Sequence, residues 1–385
     1  MPSSLKFFSL TVFLGLSTIF AFNYWEDPGH QWHRELHYIS RALAPGEVWA
    51  ICTPDFPDRP IRLSQIKYGT VPDVVAMGSS RALLIDSRLF NSNLHMRNVS
   101  VLGASLEDEI GLWQFLILSG KQPHYVVLFV DPWILNRNIE QTRWLQFLTY
   151  YNAFFSAQPI TLIQRLSLRV IEAQTILDAR LNTLVDFWSW LSLKASVKVA
   201  LHPAQTQIAP EVYPEKLRPA TFFGYRSDGS YFFPDAVVAK RPKAAVEVDA
   251  RNYALQPKIT YLSNWELNVK AITDLDLLLK DMSRHGTHAL IVLPPFHPTA
   301  RQILNQRPGY NNLLNESSQI IHDVVIKNEN ATLCDAIEAE KVGCLGDEFI
   351  DGSHLAYPCV QKVIRYCLQT SQVWVPMLNN SSTAR

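Results

Sequence analysis

The segment Val74-Val75-Ala76-Met77-Gly78-Ser79-Ser80-Arg81 decides how this chain folds. Its four apolar residues predict a buried strand, and the small residues after them predict a sharp turn with a serine at its tip. Far along the chain, Asp351-Gly352-Ser353-His354 places a carboxylate three residues before an imidazole. A serine becomes a nucleophile when an imidazole takes its proton and a carboxylate orients that imidazole. The two segments therefore predict a triad of Ser80, His354 and Asp351.

The pattern along the rest of the chain is typical of an α/β fold. Apolar runs predict strands near 73–77, 98–103, 125–131, 288–293 and 330–334, and helical periods predict helices near 81–90, 106–119, 261–285, 309–328 and 356–368. Buried strands that alternate with helices favour a parallel sheet covered on both faces. Functional groups of such sheets gather at the carboxyl ends of the strands, where Ser80, Gly103 and Asp131 are all expected.

The order of these motifs resembles the SGNH/GDSL hydrolase superfamily, with Gly-Ser-Ser where that family usually has Gly-Asp-Ser. The resemblance implies a three-layer α/β/α sandwich of flavodoxin-like type, with Ser80 as nucleophile, His354 as base and Asp351 as the residue that orients it. It also implies that the backbone N–H groups of Ser80 and Gly103 stabilise the oxyanion. The asparagine of the family's third motif is missing, because Asp131-Pro132-Trp133 follows the corresponding strand.

Four motifs, Gly-Ser-Ser-Arg, Asp-Pro-Trp, Pro-Pro-Phe-His-Pro and Asp-Gly-Ser-His, resemble a membrane-anchored subgroup that acylates bacterial envelope polymers. Relatives of alginate O-acetyltransferases and of the protein that transfers D-alanine to teichoic acids belong to it. The resemblance implies O-acyl transfer, with acetyl as the expected group, to an extracytoplasmic polysaccharide, without a cofactor. It implies a multi-pass membrane-bound O-acyltransferase as partner. A stand-alone envelope esterase or lipase shares the first half-reaction, and a non-catalytic glycan-binding scaffold shares only the fold.

Further residues near the expected site have more than one interpretation. Arg81 is expected to pair with an acidic neighbour, and the alternative is a contact with substrate. Asp131 is expected first to cap the following turn, and otherwise to orient Arg81 or bind a ligand. His297 is a candidate substrate contact or a member of a stiff proline-rich loop. Ser80 itself would also suit a helix N-cap, or a nucleophile elbow of the G-x-S-x-G type.

The amino-terminal residues predict membrane attachment. An apolar run over 7–22 follows Lys6 and precedes Tyr24-Trp25, and no small-residue cleavage site follows, so a signal anchor is favoured over a cleaved signal peptide. We expect an anchor over 1–25, a juxtamembrane segment over 26–70 that is extended or irregular, and an SGNH-like domain over 71–385. A large, mostly helical insertion at about 137–260 would cap the cleft or dock on a membrane partner. The main domain would face the periplasm from the inner (cytoplasmic) membrane.

Composition narrows the class of function. The 35 Lys and Arg residues balance 35 Asp and Glu residues, so the basic surface typical of nucleic-acid binding is not expected. Four of the five cysteines cluster late in the chain, and either one or two disulfides or buried thiols would explain them: Cys334, Cys344, Cys359 and Cys367. Cys359 and Cys367 would lie about 12 Å apart on one helix, too far to pair with each other. His30, His33 and His37 lack a thiolate, so no metal is expected.

Overall fold

The computed structural model describes residues 3–26, 43–51, 58–139, 141–158, 193–194, 196–197, 211–238, 241–257, 259, 261–310 and 313–378. The chain divides into two compact units. One comprises Met1–Tyr38, Ile51–Pro57 and Phe155–Glu211, and the other comprises Ile39–Ala50, Asp58–Phe154 and Val212–Arg385. The residues of the predicted triad all belong to the second unit.

Helices and strands alternate through much of the described part of the chain. The helices are α1 (Ser3–Glu26), α2 (Asp58–Tyr68), α3 (Leu106–Leu118), α4 (Leu148–Ala157), α5 (Asp235–Val238), α6 (Lys243–Leu255), α7 (Val269–Arg284), α8 (Pro298–Gln306), α9 (Leu313–Val325) and α10 (Tyr357–Leu368). The strands are β1 (Glu47–Ile51), β2 (Val74–Met77), β3 (Met96–Asn98), β4 (Tyr125–Phe129), β5 (Glu211–Pro214), β6 (Phe223–Arg226), β7 (Tyr231–Phe232), β8 (His288–Leu293) and β9 (Ala331–Asp335).

A five-stranded parallel sheet leads to the predicted site, because the serine turn follows its strand β2. The strand order is β3-β2-β4-β8-β9. The α/β class and the parallel sheet are thereby confirmed. Four strands lie where they were predicted, whereas β3 overlaps the predicted 98–103 only at Asn98. The four residues of β2 are all 0% exposed, because this strand has neighbours on both sides and packs in the apolar core. The chain places β3 on one side of β2 and β4 on the other. Parallel sheets open a crevice at the carboxyl ends of two strands where the strand order reverses in this way.

The helix predicted over 81–90 is wrong. Residues 81–84 form turns, and a short 3₁₀ helix follows at Ser87–Leu89. The buried amide of Asn98 donates to the carbonyl oxygens of Ala82 at 2.8 Å, Leu83 at 3.3 Å and Ile85 at 2.9 Å. This side chain from β3 satisfies backbone acceptors that a helix would otherwise satisfy locally, so tertiary contacts override the local preference.

Residues 43–51 and 58–70, the described part of the segment predicted to be extended or irregular, contain β1 and α2. Strand β1 belongs to a second sheet of order β5-β1-β6-β7, whose other strands come from the predicted insertion. The described part of that insertion therefore contributes strands as well as helices. A Cβ on Gly224 in β6 would overlap the Trp49 carbonyl oxygen, so the close contact with β1 requires glycine.

Helix α1 spans the residues for which the sequence predicts an anchor. Across the described ranges, no helix combines the length and the apolar character needed to cross a membrane. Within the same unit, the Ser196 hydroxyl donates to the Asn23 side-chain oxygen at 2.7 Å. The three histidines at 30, 33 and 37, and Cys52, lie outside the described residues.

Two disulfides close the carboxyl-terminal part of the chain. Cys334 of β9 pairs with Cys367, and Cys344 pairs with Cys359. Of the two alternatives that the sequence left open, disulfides or buried thiols, the structure shows disulfides. The prediction that Cys359 and Cys367, both on α10, do not pair with each other is confirmed. The second disulfide encloses the segment that carries Asp351 and His354.

Candidate active site

The structure brings the three predicted triad residues together. The Ser80 hydroxyl lies 2.9 Å from His354 Nε2, and His354 Nδ1 lies 2.8 Å from the Asp351 carboxylate. An Nδ1–H that donates to the carboxylate leaves Nε2 as the acceptor for the serine proton. Serine and histidine are 274 residues apart in the sequence, so only the fold can align them.

The serine turn, residues 78–81, leaves β2 at an angle that requires a glycine. Gly78 has a φ of +147°, and a Cβ there would lie 2.8 Å from the Phe129 Cβ and 2.9 Å from the Ala82 Cβ. The turn is closed by the Ala82 N–H, which donates to the Ser79 carbonyl at 3.0 Å. As a result, the half-buried Ser80 lies just past the carboxyl end of a buried central strand.

The histidine loop, residues 349–355, is held mainly by bonds within itself. The second Asp351 oxygen accepts from the backbone N–H groups of Ser353 and His354, both at 2.8 Å. Burial raises the pKa of Asp351, but the hydrogen bonds and charge of His354 and these N–H groups outweigh it and lower that pKa to about 2. An isolated antiparallel bridge between Phe349 and Leu355 closes the loop. Asp351 therefore stays ionised as a hydrogen-bond acceptor for His354.

Arg81 joins the serine turn to three other segments. Its guanidinium pairs with Asp131 at 2.8 Å, donates to the Ser353 carbonyl at 2.9 Å, and also donates to the carbonyl of Pro295. The guanidinium carbon lies 4.4 Å from the centre of the Phe296 ring. Because Arg81 is only 2% exposed, these bonds are shielded from water and fix the serine turn against the histidine loop.

Asp131 supports this arrangement, and the expectation that it mainly caps the next turn is wrong. Its side chain makes no cap bond to the 3₁₀ helix that follows. Instead it accepts from Arg81, and from the Ser79 hydroxyl at 2.5 Å. Burial raises the pKa of Asp131, and the charge of Arg81 opposes that rise. The expected salt bridge of Arg81 is therefore confirmed, with Asp131 as its partner.

The three candidate substrate contacts are all buried. Arg81, Asp131 and His297 are 2%, 1% and 2% exposed. The His297 N–H donates to the Gly352 carbonyl at 3.1 Å, and its ring nitrogen Nδ1 accepts from the Thr299 N–H at 3.2 Å. Burial lowers the pKa of His297, which favours its neutral form. Their burial argues against direct contact with substrate and favours a positioning role for each.

Gly103, the predicted oxyanion residue, follows a segment that is bonded to β2 and to the start of the serine turn. The backbone after β3 continues alongside β2, with the Val99 N–H donating to Ala76 at 2.8 Å and the Val101 N–H donating to Gly78 at 3.0 Å. Within the described part of the chain, no acceptor bonds the backbone N–H of Ser80 or of Gly103. One of these unbonded donors belongs to the nucleophile itself, and the other lies two residues after Val101, which bonds Gly78. Unbonded N–H groups are the donors that a developing oxyanion requires.

Helix α2 holds the segment that leads to Gly103, and sequence analysis did not single it out. Buried Arg62 donates to the carbonyls of Asn98 at 3.0 Å and Ser100 at 2.8 Å. Asp58 accepts from the Leu102 N–H at 2.5 Å, and Arg59 forms a buried pair with Asp108 at 2.7 Å. The only sequence signal was the density of charge in an 11-residue helix, which is equally typical of a solvated surface.

The arrangement fits acyl transfer or ester hydrolysis through a serine. Across the described residues, no group of three or more His, Cys, Asp or Glu side chains could hold a metal ion. A comparison of the chain with models of protein families found no match, and a comparison with curated proteins found none either. The geometry of Ser80, His354 and Asp351 therefore carries the functional argument.

Proposed function

We propose that this protein transfers an O-acyl group, with acetyl as the expected group, to an extracytoplasmic polysaccharide or other envelope polymer. The observation that carries the proposal is the hydrogen-bonded chain from Ser80 through His354 to Asp351. The resemblance of the motifs to the SGNH/GDSL superfamily supports it. The strand order supports a three-layer, flavodoxin-like core, because the first core strand lies between the second and the third.

The reaction divides into two steps at one serine. In the first, His354 Nε2 takes the Ser80 proton while the oxygen attacks the acyl carbonyl, and the protonated histidine then gives that proton to the leaving group. In the second, a sugar hydroxyl loses its proton to His354 and attacks the acyl-serine. Ser80 leaves and recovers the proton, so the enzyme is regenerated.

The proposed compartment rests on the cysteines. Two disulfides close a part of the chain that also carries the histidine loop. Disulfides persist in oxidising compartments such as the periplasm and are rare in the cytosol. We therefore infer an extracytoplasmic domain, tethered to the inner membrane by the amino-terminal segment. A multi-pass membrane-bound O-acyltransferase would deliver the acyl group to it.

Hydrolysis is the second candidate function, and the exposure of the site favours it. The side chains of His354 and Asp351 are 35% and 34% exposed, so water has access to the base. Water in place of the sugar hydroxyl would make the protein an envelope esterase. Transfer and hydrolysis share the acyl-Ser80 intermediate and differ only in what resolves it.

The decisive experiment is the intact mass of the full chain after incubation with p-nitrophenyl acetate. We expect one acetyl adduct in the wild type, no adduct in Ser80→Ala, and a strongly slowed reaction in His354→Ala. Ser79→Ala is the matched control, because it removes the neighbouring hydroxyl and keeps the nucleophile. An adduct that persists in Ser80→Ala, or its absence from the wild type, would refute the proposal.

The lifetime of the adduct then separates the two candidate functions. With maltohexaose as a probe acceptor, transfer predicts that the adduct decays faster than in water and that acetylated oligosaccharide accumulates. Hydrolysis predicts the same decay rate with or without the sugar, and acetate as the product.

A further inference from the structure

Arg143 and Tyr261 lie directly against Gly103 in the fold, although they are about 40 and 160 residues away from it in the sequence. A Cβ on Gly103 would collide with Nη2 of Arg143 and would lie 2.9 Å from the Tyr261 hydroxyl. Arg143 Nη2 donates to that hydroxyl at 3.2 Å. The two polar groups therefore form a bonded pair in contact with the predicted oxyanion residue.

Gln141 fixes the backbone of the arginine to the same segment. Its side-chain nitrogen donates to the Gly103 carbonyl at 3.2 Å and to Asp108 at 2.9 Å. Its side-chain oxygen accepts from the backbone N–H groups of Arg143 and, at 3.3 Å, Trp144. Arg143 and Gly103 are thus parts of one hydrogen-bonded unit.

Tyr261 is held in an unusual backbone conformation. Its φ is +68°, in the left-handed region that residues with a side chain rarely adopt. The Asn136 amide donates to its carbonyl at 2.8 Å, and its ring centre lies 6.1 Å from that of Trp133. Such strain persists when surrounding contacts over-determine it, and it is concentrated at functional sites.

The charge of Arg143 lacks a counter-ion among the described residues. Three other arginines near this site have a carboxylate partner: Arg59 pairs with Asp108, Arg81 with Asp131, and Arg137 with Glu266. Arg143 is exposed, and no described carboxylate lies within ion-pairing distance of it. A guanidinium with unused donors, beside a glycine with an unfilled N–H, favours an oxygen that carries negative charge.

We propose that Arg143, held by Tyr261, donates a third hydrogen bond to the acyl carbonyl oxygen as Ser80 attacks. This inference rests on the proposed function and supplies the donor for which the sequence offered no asparagine. As the Ser80 oxygen bonds to the carbonyl carbon, the π electrons move to the carbonyl oxygen. The N–H groups of Ser80 and Gly103 and the guanidinium hold that oxyanion until the leaving group departs.

The test compares Arg143→Gln with Arg137→Gln in the full chain. Arg137 is exposed on the same segment and pairs with Glu266, so it is a matched control for loss of one positive charge. For acetylation of Ser80 by p-nitrophenyl acetate, we expect Arg143→Gln to lower kcat by about 10²-fold with KM nearly unchanged. Arg143→Lys should recover part of that loss, and Arg137→Gln should stay within about twofold of the wild type.

Two controls separate catalysis from structure. Thermal melting should give similar midpoints for the three variants, and the pH profile of Ser80 acetylation should keep its shape in Arg143→Gln. Wild-type acylation with an equal rate in Arg143→Gln would overturn this inference and leave the proposed function standing, as would a loss confined to KM. A wild type that forms no acyl-Ser80 would overturn both.

Discussion

The serine turn and the histidine loop meet in one site, but different forces hold them. Arg81 ties the serine turn to Asp131, Ser353 and Pro295, through bonds that are buried and distant in sequence. The histidine loop is held chiefly by Asp351, which bonds backbone and side-chain groups within three residues, and by a disulfide that encloses it. One half of the site depends on tertiary structure, whereas the other is mostly preformed locally.

The two aspartates show what this difference means for charge. Asp351 is one-third exposed and its pKa falls to about 2, because bonds that favour the ionised form outweigh partial desolvation. Asp131 is 1% exposed, and burial raises its pKa even though Arg81 pairs with it. A one-third exposed carboxylate with local donors therefore stays ionised at little free-energy cost, whereas a buried carboxylate needs its cationic partner.

The largest effect is expected from Asp351→Asn. An amide leaves the imidazolium unsupported and no longer selects the tautomer that accepts the Ser80 proton, so acetylation of Ser80 should slow by about 10³–10⁴-fold. The measurement is the rate of adduct formation with p-nitrophenyl acetate. Asp323→Asn, an exposed aspartate on α9, is the control and should react like the wild type. Equal rates in both variants would show that the histidine loop needs no carboxylate.

Arg81→Met should destabilise the serine turn, which is the part of the site that depends on tertiary contacts. It leaves Asp131 buried without its cation, and we expect the free energy of unfolding to fall by about 3–5 kcal/mol in urea titrations. Arg137→Met removes an exposed arginine with an exposed partner and should cost less than about 1 kcal/mol. Removing both charges, in Arg81→Met/Asp131→Leu, should recover part of the loss. A double variant less stable than Arg81→Met would count against the buried-charge explanation.

Removing each disulfide in turn tests whether the histidine loop depends on the covalent bond that encloses it. Changing Cys344 and Cys359 to serine opens a loop of 15 residues that contains the catalytic pair, and should cost about 3 kcal/mol of stability. Acetylation per folded molecule should also fall. Removing Cys334–Cys367, with a separation of 33, should cost slightly more stability, about 3.7 kcal/mol. That second variant should keep its acetylation rate when folded. An equal loss of acetylation rate in both variants would show that closure of the histidine loop by Cys344–Cys359 has no special role.

The smallest effect concerns acid stability. The pKa of Asp351 is about 2 in the fold against an ordinary 3.8, so its contribution is present above about pH 3.8 and is lost as pH falls through about 2. After solvent screening of this one-third exposed group, the contribution should be about 1 kcal/mol. Unfolding free energies of wild type and Asp351→Asn, measured between pH 2 and 6, should converge at the acid end. A constant difference would contradict the assignment.

Local patterns in the sequence predicted the parts of the fold that depend on local chemistry. Buried apolar runs located the three central strands β2, β4 and β8, because a strand covered on both faces of the sheet is apolar throughout. The edge strand β3 (Met96–Asn98) precedes the predicted run at 98–103, because its sequence Met-Arg-Asn is not apolar throughout. The spacing of Asp351 and His354 predicted their contact, because one turn suffices to join them. The helix expected at 81–90 failed because the Asn98 amide, from another strand, takes the carbonyls of that segment.

The α/β class, the serine turn and the local carboxylate–imidazole pair follow from residues that are close along the chain, so the sequence alone predicts them. The contacts of Ser80 with His354, of Asp131 with Arg81 and of Arg143 with Gly103 are set by the tertiary fold. These contacts join segments tens to hundreds of residues apart. Their alignment depends on strand order and on the packing of buried charges, which no local pattern specifies.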